Sequence, residues 1–241
     1  MDQKQRKAWN ENHRRLKEII LNPDEHSQAV QLFLSQHAQL HSSTIEDTGE
    51  QTLEDEALAN LNEKTFRKYP VNNPDTKNSI AWHLWHISRI EDMTMNILIA
   101  NEQQVLKTGS WLEKMNIEFA HSGNNMSEED IAELSSKIDL ESLLAYRAAV
   151  GKQTRQVVSL LKPGQFKQKV DQDRIKRLFE ENAVMENANW LAEYWSKKTI
   201  AGLILMPATR HIFLHLNKCM RIKDKIHKQI KKLSRLDVNG K

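Results

Sequence analysis

The chain has 241 residues, enough for one sizeable domain or at most two small ones. Charged residues make up 28% of it and there are only 7 Gly and 5 Pro, a helix-rich soluble composition without the turn punctuation of an all-β chain. The net charge of +3 is too small to argue for a nucleic-acid partner, and the single cysteine, Cys219, excludes an intrachain disulfide framework.

The opening stretch, "MDQKQRKAWNENHRR", has no apolar segment and does not read as a signal peptide. Together with the lone cysteine, this makes a reducing, cytoplasmic location the expectation. Residues 26 to 41 then repeat at helical spacing, with Val30, Phe33, Leu34 and Leu40 on one side. The acidic run at 46 to 56, six acids and no base, overlaps the start of a short helix predicted at 53 to 61. The polar linker "KYPVNNPDTKN" separates it from a long helix over 79 to 100, which Ser79 can cap and which gathers Trp82, Ile90, Met93 and Ile97. After a second linker, "FAHSGNN", a short helix is predicted at 126 to 136. Asp139 can cap the next long helix, which Pro163 and Gly164 end near Leu161; its stripe is Leu140, Leu143, Leu144, Val150, Val158 and Leu161. Two more short helices fit 173 to 182 and 187 to 197.

Thr199 can cap a last long helix that turns Ile200, Ile204, Leu214, Ile222 and Ile226 inward, with a kink expected at Pro207. The longest apolar run, "TIAGLILMPATRHIFLHL", is broken by Pro, Arg and His and is too polar to span a membrane. The end of the chain, residues 217 to 241, is basic, with nine Lys or Arg against two Asp. It suits either an anionic surface or the solvated end of a helix, where cations favour the dipole. Four long amphipathic helices with short helices in the connections predict an all-α four-helix bundle, one domain over 1–241 with its core at about 28 to 230.

Histidines interrupt three of these apolar segments: "FLSQHAQLHSS", "SIAWHLWHISRIEDMTMN" and "TRHIFLHLN". At about 100° per residue, Trp82, Ile90, Met93 and Ile97 all fall within about 40° of His86, whereas His83 lies about 60° away, near the edge of the stripe. The same construction around His211 brings His215, Ile200, Ile204, Pro207 and Ile222 to one side. His37 and His41 share the face of Val30 and Phe33. A buried imidazole without a partner costs free energy, so a lone one reads as a hydrogen-bonded core residue. A pair spaced i, i+4 puts both rings within reach of one ion, and a third inward histidine on another helix strengthens the metal reading. Neutral imidazoles suit Zn, Ni, Cu or Fe(II). Three of them leave coordination positions open, as in reactive rather than closed sites. Ile212 stands where a metalloprotease HExxH motif has its general base, so that mechanism is not available.

The stretch "SIAWHLWHISRIED" followed by "LMPATRHIFLHLN" at 205 to 217 resembles the DinB-like superfamily of bacterial helical proteins. The resemblance extends to "YRAAVGKQTR" at 146 to 155 and "EYWSKKTIAGLILMP" at 193 to 207, and covers most of the chain from about residue 28 to 230. It implies a four-helix bundle with a divalent metal, Zn or Ni first and Mn or Fe next, held by His86, His211 and His215. Relatives in that superfamily include S-transferases and isomerases that use low-molecular-weight thiols such as bacillithiol or mycothiol, and a homodimer is in keeping with it.

Two further polar residues fall on inward faces. Arg147, in the middle of the third stripe, needs an anion: a substrate group near the metal, or a buried carboxylate such as Glu91 or Glu193. His41 is either a general base beside the metal or a hydrogen-bonded core residue. Cys219 reads as a small core residue. Tyr194, Trp195 and Arg210 are candidates for a pocket mouth. The sequence therefore points to a metal-dependent transferase or hydrolase acting on a small electrophile, with His41 and Arg147 as its catalytic candidates. The rivals are a non-catalytic metal-binding stress or interaction protein, and a plain bundle whose histidines pair with carboxylates.

Overall fold

A computed structural model describes residues 2–46 and 48–239, with side chains given up to residue 232. Asp47 and the last part of the basic stretch, Arg235 and Lys241 included, lie outside the described residues or side chains. Among the described residues the fold is all-α. The only β pairing among the described residues is two isolated bridges, Asn73 with Thr76 and Lys169 with Thr199.

The first helix, α1 (Gln3–Ile19), is one that the sequence reading passed over. Asp2 and Gln5 cap each other reciprocally at its start, and Trp9, His13, Leu16 and Ile19 form a narrow buried stripe on an otherwise charged helix. Its apolar residues are few, yet each is large and fully used. Trp9 stacks on Phe213 with centroids 4.2 Å apart, and its indole N–H donates to the Gln36 carbonyl. Burial of such a side chain stabilises by about 1.5–3 kcal/mol.

Next come α2 (His26–Ala38), α3 (Leu53–Leu58), α4 (Glu63–Arg67) and α5 (Ile80–Asp92). The connections after α5 hold α6 (Trp111–Lys114) and α7 (Glu128–Lys137), followed by the long α8 (Leu140–Leu160). The chain closes with α9 (Gln172–Glu180), α10 (Asn189–Ser196), α11 (Ile200–Leu205) and α12 (Ile212–Asn239). Ser79, Asp139 and Thr199 cap α5, α8 and α11 as their sequence positions predict.

Helix α5 is the axis of the molecule. It packs against α4, α7, α8 and α12, while α1 lies along α2 and α2 reaches α8. Every residue from Ile80 to Ile99 is buried, so this helix has no solvent face at all. Its polar residues must then find partners inside. Asp92 accepts from Arg89, Tyr146, Asn96 and the backbone N–H groups of Val105 and Leu106. Arg89 also donates to Gln104 and the Ala120 carbonyl. A fully donor-saturated carboxylate of this kind tolerates burial that an unpaired one would not.

Two helical runs widen into π turns: α5 continues as Met93–Ala100, and Met206–His211 joins α11 to α12. The second is what Pro207 produces in place of a simple kink. Its ring has no N–H to continue the ladder. Carbonyls released there find other donors: the Thr209 hydroxyl lies 2.9 Å from both Ile204 O and Leu205 O, and His13 of α1 reaches Leu205 O at 3.1 Å. The altered winding also corrects one expectation. Leu214, placed inward by a uniform helical wheel, is 45% exposed.

Candidate metal centre

His86 stands in the middle of α5, His211 is the last residue of the π turn, and His215 follows one turn later in α12. The structure brings these three together, with one ligating atom from each within 4.8 Å of the others. Ring centroids are 5.0 Å apart for His86–His211 and for His86–His215, and 4.4 Å for His211–His215. Among the described residues one other group has comparable ligand spacing, His37 with His41 and Glu91.

The surroundings decide which nitrogen each ring presents. His86 Nδ1–H donates to the Ser122 carbonyl at 2.6 Å, which leaves Nε2 as a lone pair; Trp82 stacks on the same ring at 4.5 Å. The loop approaches this closely because Gly123 follows, with φ +83°. A Cβ there would sit 2.4 Å from the Trp85 ring and 3.4 Å from His86 Nδ1. His215 Nδ1 lies 2.9 Å from His83 Nδ1, and His83 Nε2 lies 3.1 Å from the Thr76 hydroxyl. If His215 donates, His83 accepts and passes its own N–H to Thr76, and His215 Nε2 is left free. The reverse arrangement protonates Nε2 and removes the ligand. His211 Nδ1 is buried without a hydrogen-bond partner.

Burial, foremost, lowers the pKa of all four rings. His86 comes down to about 4, and His83, His211 and His215 fall well below the ordinary value as each also feels its neighbours and Lys218. At neutral pH they are unprotonated, the state that binds a cation. Three neutral imidazoles, two of them oriented through their second nitrogen, are a donor set that fits a borderline divalent ion.

A cavity of about 190 Å³ opens beside His86 and His211. Its wall is mostly aromatic and apolar, with Trp190, Tyr194, Trp195, Met206 and Pro207, and it includes Asn124, whose side-chain oxygen has no partner. Trp190 and Asn124 were not singled out by the sequence; Trp190 sits in a short helix whose exposed half looks like any surface. Tyr194 and Trp195 line this cavity, whereas Arg210 turns away to Asn10 and the Trp9 ring of α1.

The two catalytic candidates lie elsewhere. Arg147 is fully buried and donates from Nε to Glu54 at 2.6 Å and from Nη2 to the Leu40 carbonyl. Its partner is thus neither Glu91 nor Glu193 but Glu54, a member of the acidic run. Burial raises the Glu54 pKa and the Arg147 charge opposes that rise. His41 faces Glu91, with Nε2 3.2 Å from Oε2, and Glu91 also accepts from His37 at 2.7 Å. Burial pulls the His41 pKa down to about 3 against the opposing pull of Glu91. Neither Arg147 nor His41 is part of the cavity wall. Cys219 is buried, and burial pushes its thiol up to about 12, so it behaves as a core residue.

The basic end of the chain is partly spent on internal contacts. Lys223 donates to the Glu56 and Ala59 carbonyls, Arg221 pairs with Asp75, and Lys225 reaches the Asn72 carbonyl. Among the described residues no helix is long and apolar enough to cross a membrane.

The family model of the DinB superfamily matches residues 48–216, a span that contains His86, His211 and His215. No curated protein matches the chain.

Proposed function

This chain belongs to the DinB superfamily, and from that premise we propose that it is a metal-dependent enzyme in which His86, His211 and His215 hold a divalent ion, Zn or Ni before Mn or Fe, at the floor of the aromatic cavity. The observation that supports this is the partner at the second nitrogen of two rings: the Ser122 carbonyl fixes Nδ1–H on His86, and with His83 accepting from His215 Nδ1 both Nε2 lone pairs are offered together. When bound, such an ion lowers the pKa of a coordinated thiol or water and polarises an electrophile.

The chain's own residues narrow the reaction. Apart from the two ligands, the cavity wall has no carboxylate, lysine or histidine to take up a proton. A nucleophile that ionises readily, such as a thiol with a pKa of about 8.5, suits such a wall better than water does. A thiol-dependent transfer to a small electrophile is therefore preferred over hydrolysis. Trp190, Tyr194, Trp195 and Met206 would bind the apolar part of the substrate and exclude water, and the unpartnered Asn124 oxygen would accept a hydrogen bond from it. Arg147 and His41 would act at a distance from the cavity, Arg147 by fastening α3 to α8 through Glu54.

The test is elemental analysis of protein purified without an affinity tag, beside His86→Ala, His211→Ala and His215→Ala. The expected result is an ion associated with the native chain that each substitution weakens or removes while the chain stays helical. Full occupancy of that ion in all three variants would refute the assignment. Thiol-transfer assays with the metal so identified then separate an enzyme from a binding protein.

A further inference from the structure

We propose that His37, His41 and Glu91 form a second cation site, separate from the His86–His211–His215 centre, that takes a divalent first-row transition metal. His37 stands in the last turn of α2 and His41 in the turn that follows the helix, with ring centroids 4.2 Å apart. Glu91 of α5 spans both, with Oε1 2.7 Å from His37 Nε2 and Oε2 3.2 Å from His41 Nε2. One ligating atom from each residue lies within 4.8 Å of the others, and all three side chains are fully buried.

A hydrogen-bonded triad accounts for only half of these contacts. His37 shares a hydrogen bond with Oε1, but His41 Nε2 and Glu91 Oε2 face each other without hydrogen-bond geometry, and neither has any other partner. An unsatisfied buried polar atom costs about 1–3 kcal/mol. A shared cation converts both atoms into ligands. Ions bound at about 2.0–2.2 Å set neighbouring donor atoms roughly 3–3.5 Å apart; the two nitrogen–oxygen distances here, 2.7 and 3.2 Å, are near that, and all three donors lie within 4.8 Å of one another. Two imidazoles and a carboxylate select Zn, Fe(II), Co or Mn over Mg or Ca. The His41 ring is fixed from behind by α8, where a Cβ on Gly151 would come within 2.7 Å of Nδ1. The cluster is closed on all sides, so its role is structural: the ion would fasten α2, which precedes the family match at residue 48, onto the central helix.

The inference does not depend on the proposed reaction, and one experiment separates the two. The variant with His86, His211 and His215 all replaced by Ala keeps this cluster intact. It is unfolded in chelator, refolded with Zn2+ or Co2+, passed through a desalting column and analysed for metal. One equivalent per chain, a Tm raised by the metal and loss of both on adding Glu91→Gln are expected. A helical chain with no metal and a Tm indifferent to Zn2+ would overturn the proposal. As a second measurement that needs no folded triple variant, the otherwise unchanged chain loaded in the same way should carry two equivalents, and its Glu91→Gln variant one. One equivalent that Glu91→Gln leaves in place would overturn it equally. One equivalent that Glu91→Gln removes would instead sustain this site and refute the first.

Discussion

His83→Phe tests how the third ligand is held. His83 is buried, lies edge-on to His215 at 4.9 Å and to Trp82 at 5.3 Å, and offers Nδ1 to the His215 ring at 2.9 Å. Phenylalanine keeps an aromatic ring in place, somewhat larger than the imidazole, and removes both the acceptor at Nδ1 and the contact of Nε2 with the Thr76 hydroxyl. The His215 N–H is then buried without a partner, at a cost of about 1–3 kcal/mol. The ring can escape by moving its proton to Nε2 or by rotating, and either route withdraws the ligand. Loss of an orienting partner of this kind lowers metal affinity by about 10–100-fold, which is about 1.4–2.8 kcal/mol and agrees with the cost just derived. The assay is competitive Zn2+ titration against a chromophoric chelator. His83→Asn is the companion variant, because its amide oxygen lies near the former Nδ1 and should recover much of the loss. Affinity within twofold of the native chain for His83→Phe would show that His83 does not set the His215 tautomer.

Three further outcomes follow from other contacts. In the metal-free chain, burial holds the His86 pKa at about 4 against 6.5 when unfolded, so on acidification the unfolded state takes up its proton first. Its contribution to stability is whole above pH 6.5 and is lost as pH falls from there toward 4, by about 2 kcal/mol between pH 7.5 and 5; because His83, His211 and His215 shift in the same direction, it is read as the extra loss of the native chain over His86→Gln in urea unfolding at the two pH values, and equal losses in the two chains contradict it. Glu54→Gln strands the buried Arg147 charge and should lower stability by about 3–5 kcal/mol in the same assay, whereas Glu54→Leu combined with Arg147→Met should cost less than either change alone. Gly123→Ala sets a Cβ against Trp85 at a left-handed backbone position and moves the Ser122 carbonyl off His86, so Zn2+ affinity should fall by about tenfold or more.

The long helices α2, α5, α8 and α12 were legible because their apolar spacing is a strong local signal, joined in α5 and α8 by the capping side chains of Ser79 and Asp139. Helix α1 was not, because four large buried residues on a polar helix give little mean hydropathy while anchoring the whole helix. The wheel that selected His86 assumed one buried stripe, yet α5 is buried all round. It therefore could not see that His83, at the edge of that stripe, is as deeply placed and serves His215 from behind. The partner of Arg147 shows the same limit: the sequence offered Glu91 or Glu193, but the buried carboxylate that meets it is Glu54, 93 residues away in the acidic run and 2% exposed. Such pairings join residues far apart in the chain, and no local pattern carries them.

The π turn ties the N-terminal helix to the metal centre. Pro207 breaks the ladder, His211 ends the widened turn, and the freed Leu205 carbonyl is met by His13 of α1. Burial, and then the nearby Arg210 charge, lower the His13 pKa, so the ring stays neutral and bonds through one N–H; that N–H also lies 3.2 Å from the Thr209 hydroxyl. Helix α1 precedes the family match at residue 48, so this brace comes from outside the matched span. His13→Phe keeps the stacking on Trp9 but removes the bond to the turn. Thr209 still covers the Leu205 carbonyl, so the loss of stability should be small, about 0.5–1.5 kcal/mol. If the brace sets where His211 stands, Zn2+ affinity should fall with it, by about 3–10-fold. An equal loss of stability with unchanged affinity would mean that α1 only covers the core and that Pro207 and Thr209 hold the turn by themselves.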